Sequence, residues 1–247
     1  MEDVEPKCLK RVEQKPFLQP VSEKKLWLPQ GISSVSQRYD ISVYNDTLYD
    51  FYGVVRPAWF ERAVTVRKAE FLAGRILARS LLDDYGCTNE NVHIGRYREP
   101  IWPNGFAGSL SHCSGYVICV VGKASACAGI GVDVMTPYVL NDLSAIRDIP
   151  TLVQDAHAIN LKPIFQNTDL AYALAFSLRE SVYKAVFPHM EIFLDFDSVE
   201  IIDVSARDCH IRLVPTLHNP KLHSLFNAFE CTYNINDIYG IRTFCKL

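Results

Sequence analysis

No stretch of the 247-residue chain approaches the roughly 18 consecutive apolar residues that a membrane-spanning helix requires. The first residues, with Glu2, Asp3, Glu5 and Lys7, lack the apolar core of a secretion signal. The expectation is a soluble cytoplasmic protein that does not bind membranes. Neither charge sign dominates: 25 basic and 28 acidic side chains leave a net charge of -3, which gives no basis for bulk nucleic-acid or anionic-membrane binding. Any basic site must be local. CxxC pairs are absent too. The eight cysteines are scattered, and several sit in apolar runs such as Val117-Ile118-Cys119-Val120, where a thiol packs as a small hydrophobe. That argues against a disulfide framework and for a reducing compartment. Internal repeats and low-complexity tracts are also missing. What remains, at 49% hydrophobic and 21% charged residues, is a globular chain long enough for one large core or two small ones.

The first forty-odd residues carry the least pattern. From Trp59 to Leu82 apolar residues recur at helical spacing, ending before Asp83-Asp84-Tyr85-Gly86. A loop with two prolines, Arg98-Glu99-Pro100-Ile101-Trp102-Pro103, leads into Gly108-Ser109-Leu110-Ser111-His112. The six apolar residues Tyr116 to Val121 suit a strand buried on both faces. A second apolar run from Ala126 to Met135 follows, then helical material around Leu140 to Ile146. A helix is expected from about Asp169, as its cap, to Phe187, stopped by Pro188. Ser198 to Val204 and His210 to Val214 alternate as strands do. The class is mixed α and β, α/β or α+β, with two halves, 1–125 and 126–247, dividing near residue 125.

In Gly131-Val132-Asp133-Val134-Met135 the strand period of two sends the valines to one face and Asp133 to the other. Asp133 either serves a site or caps a strand end. Phe176, Glu180 and Lys184 recur every four residues and share one helical face. A Glu and Lys so placed are either site residues or an ordinary surface pair worth about 0.3 to 0.5 kcal/mol. The run from Gly108 to Gly115 offers small residues, hydroxyls and His112, a workable phosphate cradle. Serine hydrolase chemistry through Ser109 or Ser111 with His112 is an alternative, but the G-x-S-x-G elbow is missing. His112 could also merely cap the turn. On the first helix Lys68, Arg75 and Arg79 lie along one stripe, near Arg62 and Arg67. Such a stripe is either a solvated face or a set of phosphate forks.

Five segments in order, Arg67 to Arg75, Arg98 to Pro103, Gly108 to Cys113, Gly129 to Asp133 and Phe176 to Lys184, resemble the phosphopantetheinyl transferases. The similarity is greatest to the larger class typified by the enzyme that activates enterobactin synthetase. It spans roughly residues 55 to 190.

The resemblance implies a pseudo-dimer of two similar α/β subdomains, with coenzyme A and a magnesium ion in the cleft between them. It implies transfer of phosphopantetheine from coenzyme A to a serine of an apo acyl or peptidyl carrier protein. By position, Arg67, Lys68 and Arg75 correspond to ligands for the 3′-phosphate region, Ser111 and His112 to further 3′-phosphate contacts, and Arg98 and Glu99 to part of the nucleotide pocket. Asp133 and Glu180 correspond to metal ligands and catalytic groups, and Lys184 to the lysine reaching the pyrophosphate. Three departures are visible. Met135 stands where most relatives carry a second acid, and a thioether is a poor magnesium ligand. Arg179 stands where lysine is usual. A third acid is not evident, Asp155 being the candidate. Met135 also raises the alternative of a relative that binds coenzyme A or a carrier without catalysis. Two covalently linked halves imply a functional monomer.

Overall fold

A computed structural model describes residues 15–22, 27–88, 90–135, 147–160, 168–205, 207–236 and 240–247. The helical material expected around Leu140 to Ile146 lies outside them.

Tyr116 to Gly122 are all buried in strand β6 (Tyr116–Lys123), and the strand has two apolar neighbours. Val117, Cys119 and Val121 face the long helix α2 (Thr65–Asp84), against Leu72, Ala73, Leu77 and Leu81. Tyr116, Ile118 and Val120 pack instead with Ile130, Val132, Val134 and Phe244. Around β6 an antiparallel sheet runs in the order β1 (Leu18–Pro20), β2 (Ile32–Tyr39), β6, β5 (Phe106–Cys113). Short helix α1 (Thr47–Tyr52) and a 3-10 turn at Phe60–Arg62 precede α2, and a separate antiparallel pair, β3 (His93–Ile94) with β4 (Pro100–Ile101), follows it.

The expected single helix from Trp59 is thus a turn, a break at Val64 in extended geometry, and then α2. The segment that carried least pattern holds β1 and β2. In β2 only Ile32 and Tyr39 are buried, so the strand is defined by its ladder to β6 and leaves little apolar alternation in the sequence.

A second antiparallel sheet runs in the order β7 (Ile130–Met135), β11 (Gly240–Lys246), β10 (Phe229–Asn236), β9 (His210–Pro215), β8 (Val199–Ser205). Strands β8 and β9 fall within a residue of the expected ones. Helices α3 (Pro150–Asn160) and α4 (Thr168–Met190) cover the sheet, and α5 (Pro220–Leu225) joins β9 to β10. Leu174, Leu178, Val182 and Val186 of α4 form its core with Leu152, Ile211, Phe229 and Ile241.

Two details of α4 differ from expectation. Asp169 lies inside the first turn, paired with Arg147 at 2.5 Å. Pro188 sits within the helix, which closes at Met190 where Glu191 turns left-handed (φ 51°) and donates its amide to Phe187 O. A proline so near the end removes one hydrogen bond from a turn that has few to lose.

The sheets meet edge to edge at β5 and β7. Ser109 Oγ accepts the Val132 amide at 3.1 Å, and Ser111 Oγ accepts the Val134 amide at 3.2 Å. Two serine side chains satisfy edge amides that would otherwise be buried without partners. Replacing Ser109, 3% exposed, by alanine strands the Val132 amide and is expected to cost about 1–3 kcal/mol. A urea midpoint unchanged from wild type would show that the seam does not depend on this bond. On the other side of β7, α4 approaches so closely that a Cβ on Gly131 would lie 1.7 Å from Ser181 O. That glycine brings the helix face bearing Glu180 and Lys184 down onto the strand bearing Asp133.

The seven described cysteines form no disulfide with one another, and four of them are buried. Among the described residues no helix is long and apolar enough to cross a membrane.

Candidate active site

Helical periodicity places Arg67, Glu70, Phe71, Gly74 and Arg75 on one face of α2. That face lines a cavity of about 270 Å³. The opposite walls are the 94–102 loop, residues 108–112 of β5, and Tyr183, Lys184 and Phe187 of α4. The cavity therefore lies along the seam between the two sheets.

On the α2 wall the Arg75 guanidinium stacks over the Phe71 ring (4.5 Å to the centroid) and reaches His93 O at 3.4 Å. Burial draws it down to about 10, which leaves it charged at neutral pH. Arg67 lies over Trp59 (5.7 Å) and meets His112 Nε2 at 3.1 Å. Glu70 approaches the other ring nitrogen of His112 at 3.3 Å. Lys68, one step around the helix, turns away. Its amine pairs with Asp46 at 3.3 Å and sits over the Phe60 ring, and it does not line the cavity.

Arg98 adopts a left-handed backbone (φ 71°), and Glu99 fixes the loop by accepting the Tyr97 amide at 2.8 Å. A Cβ on Gly95 would lie 1.9 Å from that carboxylate, so a larger residue there would displace the Glu99 side chain. Both Arg98 and Glu99 line the cavity. Tyr97 crosses to the other sheet's elements, edge-on to Phe187 and Phe193.

Asp133 is 7% exposed, and its carboxylate is held by three donors. Lys184 Nζ (2.7 Å) and Ser111 Oγ (2.9 Å) reach Oδ1, and Ser177 Oγ (2.8 Å) reaches Oδ2. Behind Ser177 a buried hydroxyl chain continues through Thr243 to Ser181. Lys184 also donates to Val132 O at 3.1 Å. Ser111 is thus committed to Asp133 and to the Val134 amide. Glu180 makes no hydrogen bond or ion pair among the described residues and lines a small pocket beside Tyr183, Phe193 and Phe196. Burial pushes its carboxyl up, the Lys184 charge opposes this, and the Asp133 charge adds to it.

Asp133 and Glu180 are hard oxygen donors, and Glu180 is a partly buried carboxyl with no partner of its own. That donor chemistry suits a magnesium ion held by two carboxylates; such an ion would have to displace Lys184 from Asp133, whose oxygens are taken by Lys184, Ser111 and Ser177, and draw in Glu180 from its separate pocket. Among the described residues no group of three His, Cys, Asp or Glu side chains could hold a metal. Met135 is 6% exposed and packs in the core with Leu152 and Val182. Asp155 is not in the cavity wall either. It is buried against Arg179, whose guanidinium also donates to Phe196 O (2.8 Å) and Val199 O (2.9 Å).

The structure therefore gathers Arg67, Arg75, Arg98, Glu99, Ser111, His112 and Lys184 around one cavity, with Asp133 behind Lys184, and leaves Lys68 out. Glu70 and the Ser177 and Thr243 hydroxyls were not singled out from sequence. Glu70 is three residues from Arg67, a spacing that puts both on one face. Thr243 joins Asp133 only through the β7 to β11 register, which no local pattern contains.

Residues 56–122 match the 4′-phosphopantetheinyl transferase N-terminal domain, and residues 129–233 match the 4′-phosphopantetheinyl transferase superfamily. Enterobactin synthase component D of Salmonella typhi is 34% identical over 149 residues, 60% of each chain. The 4′-phosphopantetheinyl transferase PptT of Mycobacterium tuberculosis is 33% identical over 140 residues, 57% of this chain and 60% of the relative. The 4′-phosphopantetheinyl transferase Svp of Streptomyces mobaraensis is 32% identical over 155 residues, 62% of each. The chain thus spans about 60% of the length of these relatives. With two successive family matches over the elements that build the cavity, this chain belongs to the 4′-phosphopantetheinyl transferase superfamily.

Proposed function

We propose that the protein transfers the phosphopantetheine arm of coenzyme A to a serine of an apo carrier protein, in a magnesium-dependent reaction that releases adenosine 3′,5′-bisphosphate. The observation that carries this is the pairing of a cavity wall bearing the cations Arg67 and Arg75 beside His112 with the Asp133 and Lys184 pair at its back. On this reading the two sheets belong to the similar halves of a pseudo-dimer, 1–125 and 126–247, and coenzyme A lies along their seam in a cytoplasmic monomer.

Arg67, Arg75 and His112 take the 3′-phosphate, arginine forks matching its oxygens in two-point contacts. Arg98 and Glu99 bound the nucleotide. The carrier serine oxygen attacks the β-phosphorus, and the bond from that phosphorus to the bridging oxygen breaks. Glu180 takes the serine proton directly or through water. Lys184 stabilises charge on the pyrophosphate. Bound by Asp133 and Glu180, magnesium would supply neutralisation of the pyrophosphate and leaving-group charge. Ser111 acts one step back, orienting Asp133 and Lys184 rather than meeting phosphate.

The burial of Met135 supports a second reading, a relative that binds coenzyme A or a carrier without transfer. Serine hydrolysis is disfavoured by Ser109 and Ser111, which hold β7 amides and make no bond to His112. Incubation with coenzyme A, magnesium and apo carrier proteins is expected to add a phosphopantetheine mass to the carrier. Absence of that gain on several unrelated carriers would leave the binding reading standing. The relatives named for enterobactin synthase make a siderophore-pathway carrier the first to try.

A further inference from the structure

A carboxylate in the wall of an anion-binding cavity calls for a reason, and the contacts of Glu70 supply one. Arg67 Nη1 lies 3.1 Å from His112 Nε2. A guanidinium has donors and no acceptor, so Nε2 accepts and carries no proton. The ring proton is then on Nδ1, which lies 3.3 Å from Glu70 Oε1. Glu70 is also 3.6 Å from Arg67. Burial works against its ionisation, but the His112 hydrogen bond, joined by the Arg67 charge, holds its carboxyl below the ordinary range. It is an anion at neutral pH.

A phosphate oxygen offers only lone pairs, and so does Nε2 in this arrangement. Facing each other they repel unless the ring gains a proton. We propose that Glu70 is a positioning residue that lets His112 take up a proton when a phosphate monoester enters the cavity, making the ring a two-sided donor between Glu70 and the phosphate. The inference rests on the reading of this cavity as the site of the coenzyme A 3′-phosphate. The proton comes from solvent and binds Nε2, and the Arg67 donor released from Nε2 turns to the phosphate.

The other charged or titratable groups around the ring do not substitute for Glu70. Arg67 and Arg75 of α2, Lys184 of α4 and Arg98 across the cavity are cationic and oppose a further positive charge. Glu99 is bound to the Tyr97 amide, and Asp133 is screened from the ring by its bonds to Ser111 and Lys184. Tyr39 of β2, which burial pushes up to about 12, is neutral. Cys113 follows His112 on the same strand, where successive side chains point to opposite faces.

Calorimetric titration of the intact protein with coenzyme A and with dephospho-coenzyme A, in buffers of different ionisation enthalpy and without added metal, tests the proposal. Between about pH 7.5 and 9 a phosphate monoester is already the dianion, so any uptake belongs to the protein. Uptake is expected with coenzyme A and not with the dephospho form. The preference for coenzyme A should fall by about tenfold per pH unit where a whole proton is taken up, and level off as uptake becomes incomplete. Glu70→Gln keeps an acceptor for Nδ1–H but removes the charge, and should move the uptake curve to lower pH while retaining the preference in its acid limb. His112→Gln should abolish uptake. A preference for coenzyme A without proton uptake, or a Glu70→Gln curve equal to wild type, would overturn the proposal. Equal binding of the two ligands would overturn the 3′-phosphate assignment beneath it.

Discussion

Asp133→Asn is expected to lower phosphopantetheine transfer by about a hundredfold or more, roughly 3 kcal/mol of transition-state stabilisation, while leaving the fold intact. Retention of the fold follows from the neighbours. The amide oxygen can still accept from Lys184 and Ser111, which now reach Oδ1. The new amide group would face Ser177 Oγ, whose hydroxyl turns to donate to Thr243, a bond in which either atom can be the donor. The hydroxyl chain reverses direction without losing a partner. What disappears is the negative charge that, on the proposed reading, helps bind a hard divalent cation, and a neutral amide is a weak ligand for it. Mass spectrometry of the carrier measures transfer, and thermal melting checks the fold. Transfer at the wild-type rate by a normally folded variant would remove Asp133 from the metal assignment.

The parts of the fold that were legible in the sequence are those whose side chains are sorted by a local period. α2 and α4 carry apolar residues on one face, β6 is an unbroken apolar run, and β8 and β9 alternate. The parts that were not legible derive their order from partners far along the chain. β2 has two buried residues in eight and is held by β6. α3 starts on Pro150, a residue that suits a first helical position but equally a loop. The break at Val64 lies within a sequence that keeps helical spacing on both sides. Pro188 read as a stop because proline usually is one, yet its position in the final turn removed the penalty that would have enforced the stop.

The candidate site divides along similar lines. Asp133 pointing from an apolar strand, the Glu180 and Lys184 face, and the Arg67 and Arg75 face are all consequences of period. Their convergence depends on features that no local pattern contains. Two of these are the β5 to β7 seam and the close approach at Gly131. Ser111 illustrates the difference. Within its segment it looks like part of a phosphate cradle, and in the fold it lines the cavity while its hydroxyl is shared among Asp133, Lys184 and the Val134 amide, a set of partners that no local pattern contains. Lys68 shows the converse, a cation in the right segment that one step of helical rotation carries to Asp46.

Asp155→Ala is expected to destabilise the protein by about 3–5 kcal/mol, because it leaves a buried guanidinium without its counter-charge. The Arg179 side chain is 5% exposed and that of Asp155 is 6% exposed. Burial pushes the Asp155 carboxyl up, and the Arg179 charge opposes this most strongly, so each group depends on the other to remain ionised at low cost. Once Asp155 is removed, Arg179 keeps only the carbonyls of Ala175, Phe196 and Val199. Replacing both residues, as in Asp155→Leu with Arg179→Met, should recover part of the loss, since no buried charge is then left alone, while the two carbonyls at Phe196 and Val199 still lose their donors. The magnesium concentration needed for half-maximal transfer should not move in the single variant below its melting temperature, because Asp155 faces Arg179 and not Asp133. Urea midpoints and a magnesium titration separate the two roles. A variant as stable as wild type that needed more magnesium would instead make Asp155 the third acid of the metal site.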